Sequence, residues 1–499
     1  MGKVYRQALI VKGYRTKNGT VSQKTIQNLG PIKTKEDERK AWHILQKLKD
    51  GEILVSLKET NSQTLEYGVG LIVKHIWNSL HIDQFLNKPK LSYDLNQLIY
   101  MLVAHRLHNY GSENLSELEG YRWITEEAYN TLRIELRQVY RSLFILLNKK
   151  DAIESHLCNT LNSKKEIVFY DLTSSYVEGA YKKSDLVFYG YNRDKKRGKK
   201  QIVLGLLLAD TLPLAHKVWE GNTADKTTLK EAVSQLKELG IKKFIFVADR
   251  GICTEPNIEW LEGQKLEYII ATRRRKEELV KKLMIKEIKE KVKKVYEDKE
   301  KGRSYYLCYD EDVTKQQKKD LEELKDKMQK KIDAIKNPTE HKVLVAVGKA
   351  NRLFKFSFKG KFSYSIDKDS WEYENKIAGK FLLMTNNKKL SKEKILETYK
   401  QLVEIEYCFR QLKHFEDMRP IFHKSDNGIK AHVFLAVLAL LIEKIINKKI
   451  QNMTTREVID EIKKIKLARS DNFLVRSDLT NLQEKILQSL NVAVPTKIL

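Results

Sequence analysis

The sequence predicts a multidomain protein built around an α/β core, with a mainly helical region before the core and an insertion within it. Two observations predict this organisation. Short continuous apolar runs, typical of strands covered on both faces of a sheet, occupy 166–172, 201–209, 244–248 and 268–272. Segments with apolar residues three and four positions apart, typical of amphipathic helices, lie before, between and after these runs.

Changes in this pattern divide the chain into predicted segments. The segments are a basic β-hairpin arm over 1–36, a helical region over 37–161, the first part of the core over 162–272, an insertion of charged helices and β-structure over 273–378, the second part of the core over 379–450, and a C-terminal helical region over 451–499. Within the insertion, charged helices are expected at 277–296 and 315–335, with a strand at 304–309 between them.

The balance of charges indicates a polyanionic partner. The 499 residues include 93 Lys+Arg and 66 Asp+Glu, a formal net charge of +27, which favours nucleic acid or an acidic membrane surface. The longest apolar stretch, 433–442, is too short to cross a bilayer, so nucleic acid is favoured and no membrane association is expected. The four cysteines form no C-x-x-C pair, so we expect a cytoplasmic protein without a disulfide framework or structural zinc.

Two aspartates follow apolar runs of the predicted core. Asp171 ends the run 167–170, and Asp249 follows the run 244–248. A carboxylate at the end of a buried strand projects into the crevice where open α/β sheets bind ligands, and two such groups could coordinate hard cations. Taken singly, each aspartate could instead cap a helix or belong to a turn.

A third carboxylate lies on a predicted helix late in the core. Tyr399, Glu406 and Lys413 recur every seven residues, about two helical turns, and therefore share nearly one face. Arg410 lies four residues after Glu406 and reaches the same edge. The alternative is an ordinary amphipathic helix in which Glu406 pairs with Arg410 or Lys413.

Carboxylates from separate elements suit phosphodiester chemistry. Cleavage requires an activated water or 3′-hydroxyl, a stabilised leaving oxygen and neutralised phosphate charge, which two divalent ions supply when carboxylates converge on them. A neighbouring tyrosine and lysine can hold the nucleic-acid strand by stacking and by phosphate contact.

A series of short motifs surrounds these residues in order: Asp171-Leu172-Thr173, Tyr176-Val177-Glu178-Gly179, Gly190-Tyr191-Asn192-Arg193-Asp194, Glu220-Gly221-Asn222-Thr223, Ala248-Asp249-Arg250-Gly251 and Arg419-Pro420-Ile421-Phe422-His423. Together they resemble the DDE transposases of bacterial insertion sequences, in the cut-and-paste branch marked by a Y-x2-R-x3-E-x6-K signature. Tyr399, Glu406 and Lys413 occupy the positions of this signature, whereas Leu402 stands at its arginine position.

The resemblance implies a ribonuclease-H-like α/β core. It implies that Asp171, Asp249 and Glu406 are the catalytic residues and the ligands of two Mg²⁺ or Mn²⁺ ions. It also implies double-stranded DNA as the partner, at the transposon ends and at the target, with a homodimer that pairs the two ends.

A basic loop lies between the first two core strands. Five of the six residues over 195–200 are Lys or Arg, and their position next to Asp171 favours DNA contact over a merely solvated loop. The residues expected to bind DNA are Tyr399, Lys413, Arg410, Lys195, Lys196, Arg197, Lys199 and Lys200.

Three further residues are candidates for supporting the site. Asn222 lies in a turn before a predicted helix, where capping is the favoured function. Glu178 is expected to act in strand pairing or indirectly rather than as a metal ligand. Arg250 directly follows the second aspartate and is assigned a supporting function through the motif.

These observations predict a DNA transposase. It would bind the terminal inverted repeats of an insertion sequence through 1–36 and 37–161, cleave a strand at each end and join the freed 3′-hydroxyl to target DNA. Two alternatives stay open at this point: a ribonuclease-H-like nuclease that cleaves without joining strands, and an inactive, domesticated DNA-binding relative.

Overall fold

The protein divides into two compact units, which comprise Met1–Leu65 with Leu467–Asp478 and Thr496–Leu499, and Glu66–Lys466 with Leu479–Pro495. The computed structural model describes residues 7–15, 20–32, 34–35, 37–39, 41–42, 64–87, 90–110, 116–161, 167–179, 181, 184–191, 198–241, 243–249, 251–252, 254–272, 277–414, 421–470, 473–494 and 496.

The first unit contains an antiparallel hairpin near the amino terminus. Strands β1 (Gln7–Arg15) and β2 (Val21–Pro31) pair with Arg15 opposite Val21. Both strands lie within the β-hairpin arm predicted over 1–36. Residues 1–6 and 16–19 of this arm lie outside the described residues.

The described residues from 64 to 161 are mainly helical, as their apolar spacing predicts. The elements are β3 (Thr64–Glu66), α1 (Gly68–Ser79), α2 (Asp83–Leu86), α3 (Leu95–His108), α4 (Glu117–Arg122), a π-helical turn (Trp123–Glu127), α5 (Leu136–Leu147) and α6 (Lys150–Leu161). Helix α3 begins after Asp94, whose side chain accepts a hydrogen bond from the Gln97 amide, and nearly all of its residues are buried.

A mixed sheet forms the centre of the second unit. The strands that follow α6 are β4 (Ile167–Tyr176), β5 (Gln201–Ala209), β6 (Leu212–Glu220), β7 (Ile245–Ala248), β8 (Glu267–Ala271), β9 (Val292–Asp298), β10 (Arg303–Tyr309), β11 (Phe354–Ser357), β12 (Ser363–Ile366) and β13 (Lys380–Thr385). All except β11 and β12 join one sheet in the order β6-β5-β4-β7-β8-β13-β10-β9. Strand β7 is parallel to β4 and to β8, and the remaining neighbours are antiparallel.

Helices cover both faces of this sheet. They include α7 (Asp225–Glu238), α8 (Glu255–Gly263), α9 (Glu278–Met284), α13 (Lys392–Lys400), α14 (Leu402–His414) and α15 (Asp426–Lys449). Three further helices, α10 (Glu311–Asp333), α11 (Glu340–Val347) and α12 (Lys368–Lys376), lie between β10 and β13 in the chain. Because side chains alternate along a strand, β4 contributes Val168 and Tyr170 to one buried cluster and Phe169 to another. The Phe169 cluster also holds the buried apolar residues of α13 and α14.

The predicted helix over 277–296 is wrong in its second half. Helix α9 ends at Met284, and the chain then forms β9, which pairs with β10 at the edge of the sheet. Most side chains of this edge strand are exposed, so its lysines and glutamates show no buried alternation from which a strand could be predicted. Strands β9 and β10 thus extend the main sheet and do not belong to a separate substructure.

A smaller substructure with its own apolar cluster lies between β10 and β13. It consists of α10, α11, a 3₁₀ turn (Gly348–Leu353), the antiparallel pair β11 and β12, and α12. Its cluster includes Leu321, Met328, Ile332 and Phe354. The predicted charged helix over 315–335 corresponds to α10, which buries one narrow apolar stripe on this cluster.

The chain after α15 adds α16 (Thr455–Ile462), β14 (Lys466–Ser470), β15 (Phe473–Arg476) and α17 (Asn481–Ser489). Strands β15, β14 and β3 form a three-stranded sheet. The apolar run 433–442 lies within α15 and is buried in the core. Among the described residues, we find no helix whose length and apolar character would allow it to cross a membrane.

Mild acid is expected to destabilise the protein. Burial lowers the pKa of His105 and His108 to about 3, so the folded protein keeps them neutral while the unfolded chain binds protons below about pH 6.5. The free energy of unfolding therefore falls, by about 2 kcal/mol per histidine between pH 7 and pH 5. In thermal melts, the melting temperature of His108→Gln should depend less on pH than that of wild type. His341 is exposed, so His341→Gln should keep the wild-type pH dependence. Equal wild-type melting temperatures at both pH values would contradict this expectation.

Candidate active site

Asp171 lies inside a strand, so its predicted position at a strand end is wrong. Strand β4 continues to Tyr176, and Asp171 is half-buried opposite Leu206 of β5. Ser174 and Ser175 are fully buried despite their polar side chains. The strand continues through this hydroxyl-rich stretch because antiparallel pairing with β5 satisfies its backbone groups.

Asp249 follows directly after β7, as predicted, and lies beside Asp171. The parallel register pairs Tyr170 with Ala248, so the next position along each strand is an aspartate. Alternation from Phe169 and from the residues of β7 assigns both aspartates to the face of the sheet on which α14 packs. Adjacent strands lie about 4.8 Å apart, which makes these two carboxylates neighbours.

Glu406 lies on the outer surface of α14. The helix packs on β4 through buried Ile405, Cys408, Phe409 and Leu412, which join the Phe169 cluster. Glu406 itself is exposed. The amphipathic pattern therefore positions the third carboxylate on a helix that is fixed to the strand carrying the first.

The other candidate residues of this helical segment differ in exposure. Leu402 is buried in the Phe169 cluster, whereas Arg410 is exposed and Lys413 is half-buried. A side chain at position 402 points into the core, so an arginine there could not contact DNA from this helix without leaving the core. Arg410 is the exposed arginine on the surface that carries Glu406.

Tyr399 links the helical segment to the second aspartate. The predicted single helix through Tyr399, Glu406 and Lys413 is wrong, because α13 ends at Lys400 and α14 begins at Leu402. Tyr399 lies in α13, and its hydroxyl donates a hydrogen bond to Asp249 Oδ1 at 3.3 Å. Its ring packs against Phe381 of β13, with ring centroids 5.7 Å apart. This contact fixes the ring and orients one oxygen of Asp249.

The elements that carry Asp171, Asp249 and Glu406 are neighbours in the fold, but the carboxylate oxygens of these residues do not all lie within 4.8 Å of one another. Among the described residues, the one group of three possible ligands whose donor atoms all lie within 4.8 Å of one another is Glu117, His423 and His432. No local spacing in the sequence indicates this group, because Glu117 comes from α4 whereas His423 and His432 lie about 300 residues later, between α14 and α15 and in α15.

The Glu117 group is a buried ion-pair network. His423 Nε2 lies 2.9 Å from Glu117 Oε2, and His432 Nδ1 lies 2.7 Å from Glu117 Oε1. Arg106 Nη2 lies 3.2 Å from both Glu117 Oε1 and His432 Nδ1. The guanidinium thus occupies the place where a cation would contact these ligands, and a divalent ion would add uncompensated buried charge.

The pKa shifts of this network agree with an ionised Glu117. Burial raises the pKa of Glu117, but interaction with His432 and hydrogen bonds from His423 and His432 outweigh burial and hold this pKa well below its usual range. Burial lowers the pKa of His432 with Arg106 in the same direction, against the opposing attraction of Glu117. The network therefore joins α3 and α4 to α15 rather than offering a site for metal.

Part of the predicted DNA-binding loop lies beside exposed aromatic residues. Lys199 Nζ pairs with Glu178 at 2.7 Å, and Lys200 Nζ lies 5.8 Å from the centre of the exposed Tyr189 ring. Glu178 thus contacts a loop lysine. Tyr191 is also exposed. The predicted residues Lys195, Lys196, Arg197 and Arg250 lie outside the described residues.

The expected capping function of Asn222 is wrong. Asn222 is exposed in the turn after β6, whereas α7 begins after Ala224, which makes no side-chain capping bond. Asp225, the first residue of α7, lies near the second aspartate, since its Oδ2 would lie 3.6 Å from a Cβ added at Gly251. Its sequence signal is its position two residues after the Glu220-Gly221-Asn222-Thr223 motif.

Comparisons with known proteins agree with the motifs. Residues 162–442, more than half of the chain, match the transposase DDE domain, and residues 1–53 match the N-terminal domain of IS1634 family transposases. Among solved structures, a cryo-EM structure of the piggyBac transposase synaptic complex with hairpin DNA matches with a TM-score of 0.38 and 8% identity, covering 79% of this chain and 76% of that chain. No curated protein matches.

Restoring arginine at position 402 is expected to damage the protein. Because Leu402 is only 8% exposed, Leu402→Arg buries an unpaired charge and should lower the free energy of unfolding by about 3–5 kcal/mol. Val403→Arg is the matched control, since Val403 is 56% exposed on the same helix and should tolerate the charge. Denaturant unfolding measures both. A Leu402→Arg protein as stable as Val403→Arg would show that position 402 does not face the core.

Proposed function

Because the chain belongs to the transposase DDE domain family, as a DNA transposase of a bacterial insertion sequence, we propose that Asp171, Asp249 and Glu406 form its active site. The observation that carries this proposal is the parallel register of β4 and β7, which makes Asp171 and Asp249 neighbours. The docking of α14 on β4 brings Glu406 to the same face of the sheet.

The proposed core is ribonuclease-H-like. Support comes from the strand arrangement, in which β4, β5 and β6 form an antiparallel series and β7 and β8 add in parallel on the other side of β4. Helices on both faces complete a layered α/β fold. The first aspartate then belongs to the central strand of this arrangement, the second to its parallel neighbour.

The three carboxylates fit divalent metal ions. All offer the hard oxygen atoms that Mg²⁺ and Mn²⁺ prefer, and two of them occupy adjacent positions on paired strands. Asp171, Asp249 and Glu406 would hold two such ions, which supply an activated oxygen nucleophile and neutralise the charge of the reacting phosphate. The buried Glu117 group is excluded from this function by Arg106.

Other residues of the site orient ligands and hold DNA. The Tyr399 hydroxyl fixes the Asp249 carboxylate through its hydrogen bond. Arg410, which is exposed on α14, and Lys413, which is half-buried on the same helix, would contact phosphates near Glu406. The basic loop that includes Lys199 would hold the strand beside the carboxyl end of β4.

The proposed reaction has two phosphodiester steps. Water first hydrolyses a bond at each transposon end, and the freed 3′-hydroxyl then attacks target DNA in line. We assign recognition of the inverted repeats to 1–36 and 37–161, and DNA contacts or dimer contacts to the insertion. Because two ends must be joined, the functional form is a homodimer on DNA.

Replacing the third carboxylate is expected to abolish cleavage and joining. Glu406→Gln keeps the shape of the side chain but removes its charge. Mutation of a residue that only orients a metal ligand typically lowers activity about 10–100-fold. Loss of a ligand itself should therefore lower the cleavage rate at least about a hundredfold. The assay uses purified full-length protein, a labelled inverted-repeat end, Mg²⁺ and a target plasmid.

The matched control is Glu393→Gln, an exposed glutamate on the preceding helix, which should retain activity. DNA binding by Glu406→Gln should stay near that of wild type. Cleavage without joined products would indicate a nuclease, and an undiminished Glu406→Gln protein would overturn the assignment of the site.

A further inference from the structure

A buried carboxyl group lies beneath the helix that carries Glu406. Glu443 of α15 is fully buried, and its Oε1 lies 3.3 Å from the Tyr110 hydroxyl and 3.4 Å from the Tyr407 hydroxyl. Asn447 Nδ2, one turn further along α15, donates to the same oxygen at 3.3 Å. Among the described residues, Glu443 Oε2 has no hydrogen-bond partner.

The network reaches α14 through two side chains. The Tyr110 hydroxyl donates a hydrogen bond to Gln411 Oε1 at 2.6 Å, and Tyr407 contacts Glu443 directly. Tyr407 and Gln411 are four residues apart and share the surface of α14 that faces α15, while Glu406 and Arg410 share the adjacent exposed surface. A helix with its side chains is about 10–12 Å across, so a 20° rotation would move the Glu406 carboxylate by about 2 Å.

We infer that Glu443 is a positioning residue for Glu406: in its protonated form it completes a hydrogen-bond chain through Tyr110 to Gln411 that fixes the rotation of α14. This inference rests on the proposed function of Glu406. It assigns to the buried surface of α14 a role in catalysis that no motif indicates.

The direction of each hydrogen bond explains why the proton matters. The Tyr110 hydroxyl has one proton but two acceptors within hydrogen-bond distance, Gln411 Oε1 at 2.6 Å and Glu443 Oε1 at 3.3 Å. Both contacts are satisfied when the proton goes to Gln411 and a neutral Glu443 donates its own proton to the Tyr110 oxygen. An ionised Glu443 can only accept. Tyr110 would then turn its proton to Glu443, and Gln411 on α14 would lose its donor.

Burial keeps Glu443 partly protonated near neutral pH. It raises the pKa of Glu443 to about 7, although Lys444 and the hydrogen bonds that Tyr110, Tyr407 and Asn447 can offer to the ionised carboxylate lower this pKa. Lys444 Nζ is held by Glu404 Oε2 at 3.0 Å and lies 4.2 Å from the centre of the Tyr407 ring. Cys408 also faces this region, and burial raises its pKa to about 12, so it stays neutral.

The test compares Glu443→Gln with wild type across pH. The glutamine amide can donate to Tyr110 at every pH, so the variant keeps the protonated arrangement when wild-type Glu443 ionises. The ratio of variant to wild-type single-turnover cleavage rates should therefore rise between pH 6 and pH 8.5, by up to about thirtyfold when only the protonated form is active. Taking this ratio at each pH cancels the intrinsic pH dependence of the chemistry.

An infrared pH titration of the full-length protein without metal gives a second readout. A protonated carboxyl band should disappear near pH 7 in wild type and be missing from Glu443→Gln. The matched control is Glu154→Gln, which removes an equally buried glutamate that pairs with Lys150 and His216 away from α14. It should lower stability but leave the rate ratio constant.

Tyr110→Phe keeps the assay informative if Glu443→Gln folds poorly. Without the shared hydroxyl, cleavage should fall at pH 6 to the level that wild type reaches at high pH, while DNA affinity stays unchanged. A constant rate ratio for Glu443→Gln, or a Tyr110→Phe profile that follows wild type, would overturn the inference. If Glu406→Gln is inactive at the same time, the active-site proposal stands and only the function of Glu443 fails.

Discussion

The parallel pairing of β4 with β7 decides where the candidate carboxylates can meet. Its register places Asp171 and Asp249 at adjacent positions, and the alternation of side chains assigns both to the face covered by α14. A one-residue slip of either strand would turn its aspartate to the opposite, buried face. The apolar residues of these strands therefore fix the register on which the polar site depends.

The helix with Glu406 is held from two sides by different chemistry. Its apolar stripe packs on the sheet, while its polar residues Glu404, Tyr407 and Gln411 contact α15 and Tyr110. Apolar packing resists separation but tolerates small rotations, whereas directional hydrogen bonds select one rotation. Together they can hold an exposed carboxylate in a defined direction without burying it.

The sequence predicted the α/β core and the helical character of 399–413, because both depend on local periodicity. It predicted one helix there, whereas the chain forms α13 and α14 with a break at Gln401. It placed Asp171 at a strand end, since buried serines that follow it resemble a turn until β5 pairs with them. It missed β9, whose edge position leaves no buried alternation. The Glu117 and Glu443 networks join residues hundreds of positions apart, and only the packing of α15 brings them together.

Shared metal binding by Asp171 and Asp249 is tested most directly by exchanging their ligand atoms. Thiolate is a softer ligand than carboxylate and favours Mn²⁺ over Mg²⁺. Asp171→Cys and Asp249→Cys should each lose cleavage with Mg²⁺ and recover it in part with Mn²⁺. Asp312→Cys, at an exposed position on α10, should cleave with either ion. Equal loss of cleavage with both ions would contradict direct metal binding by these two aspartates.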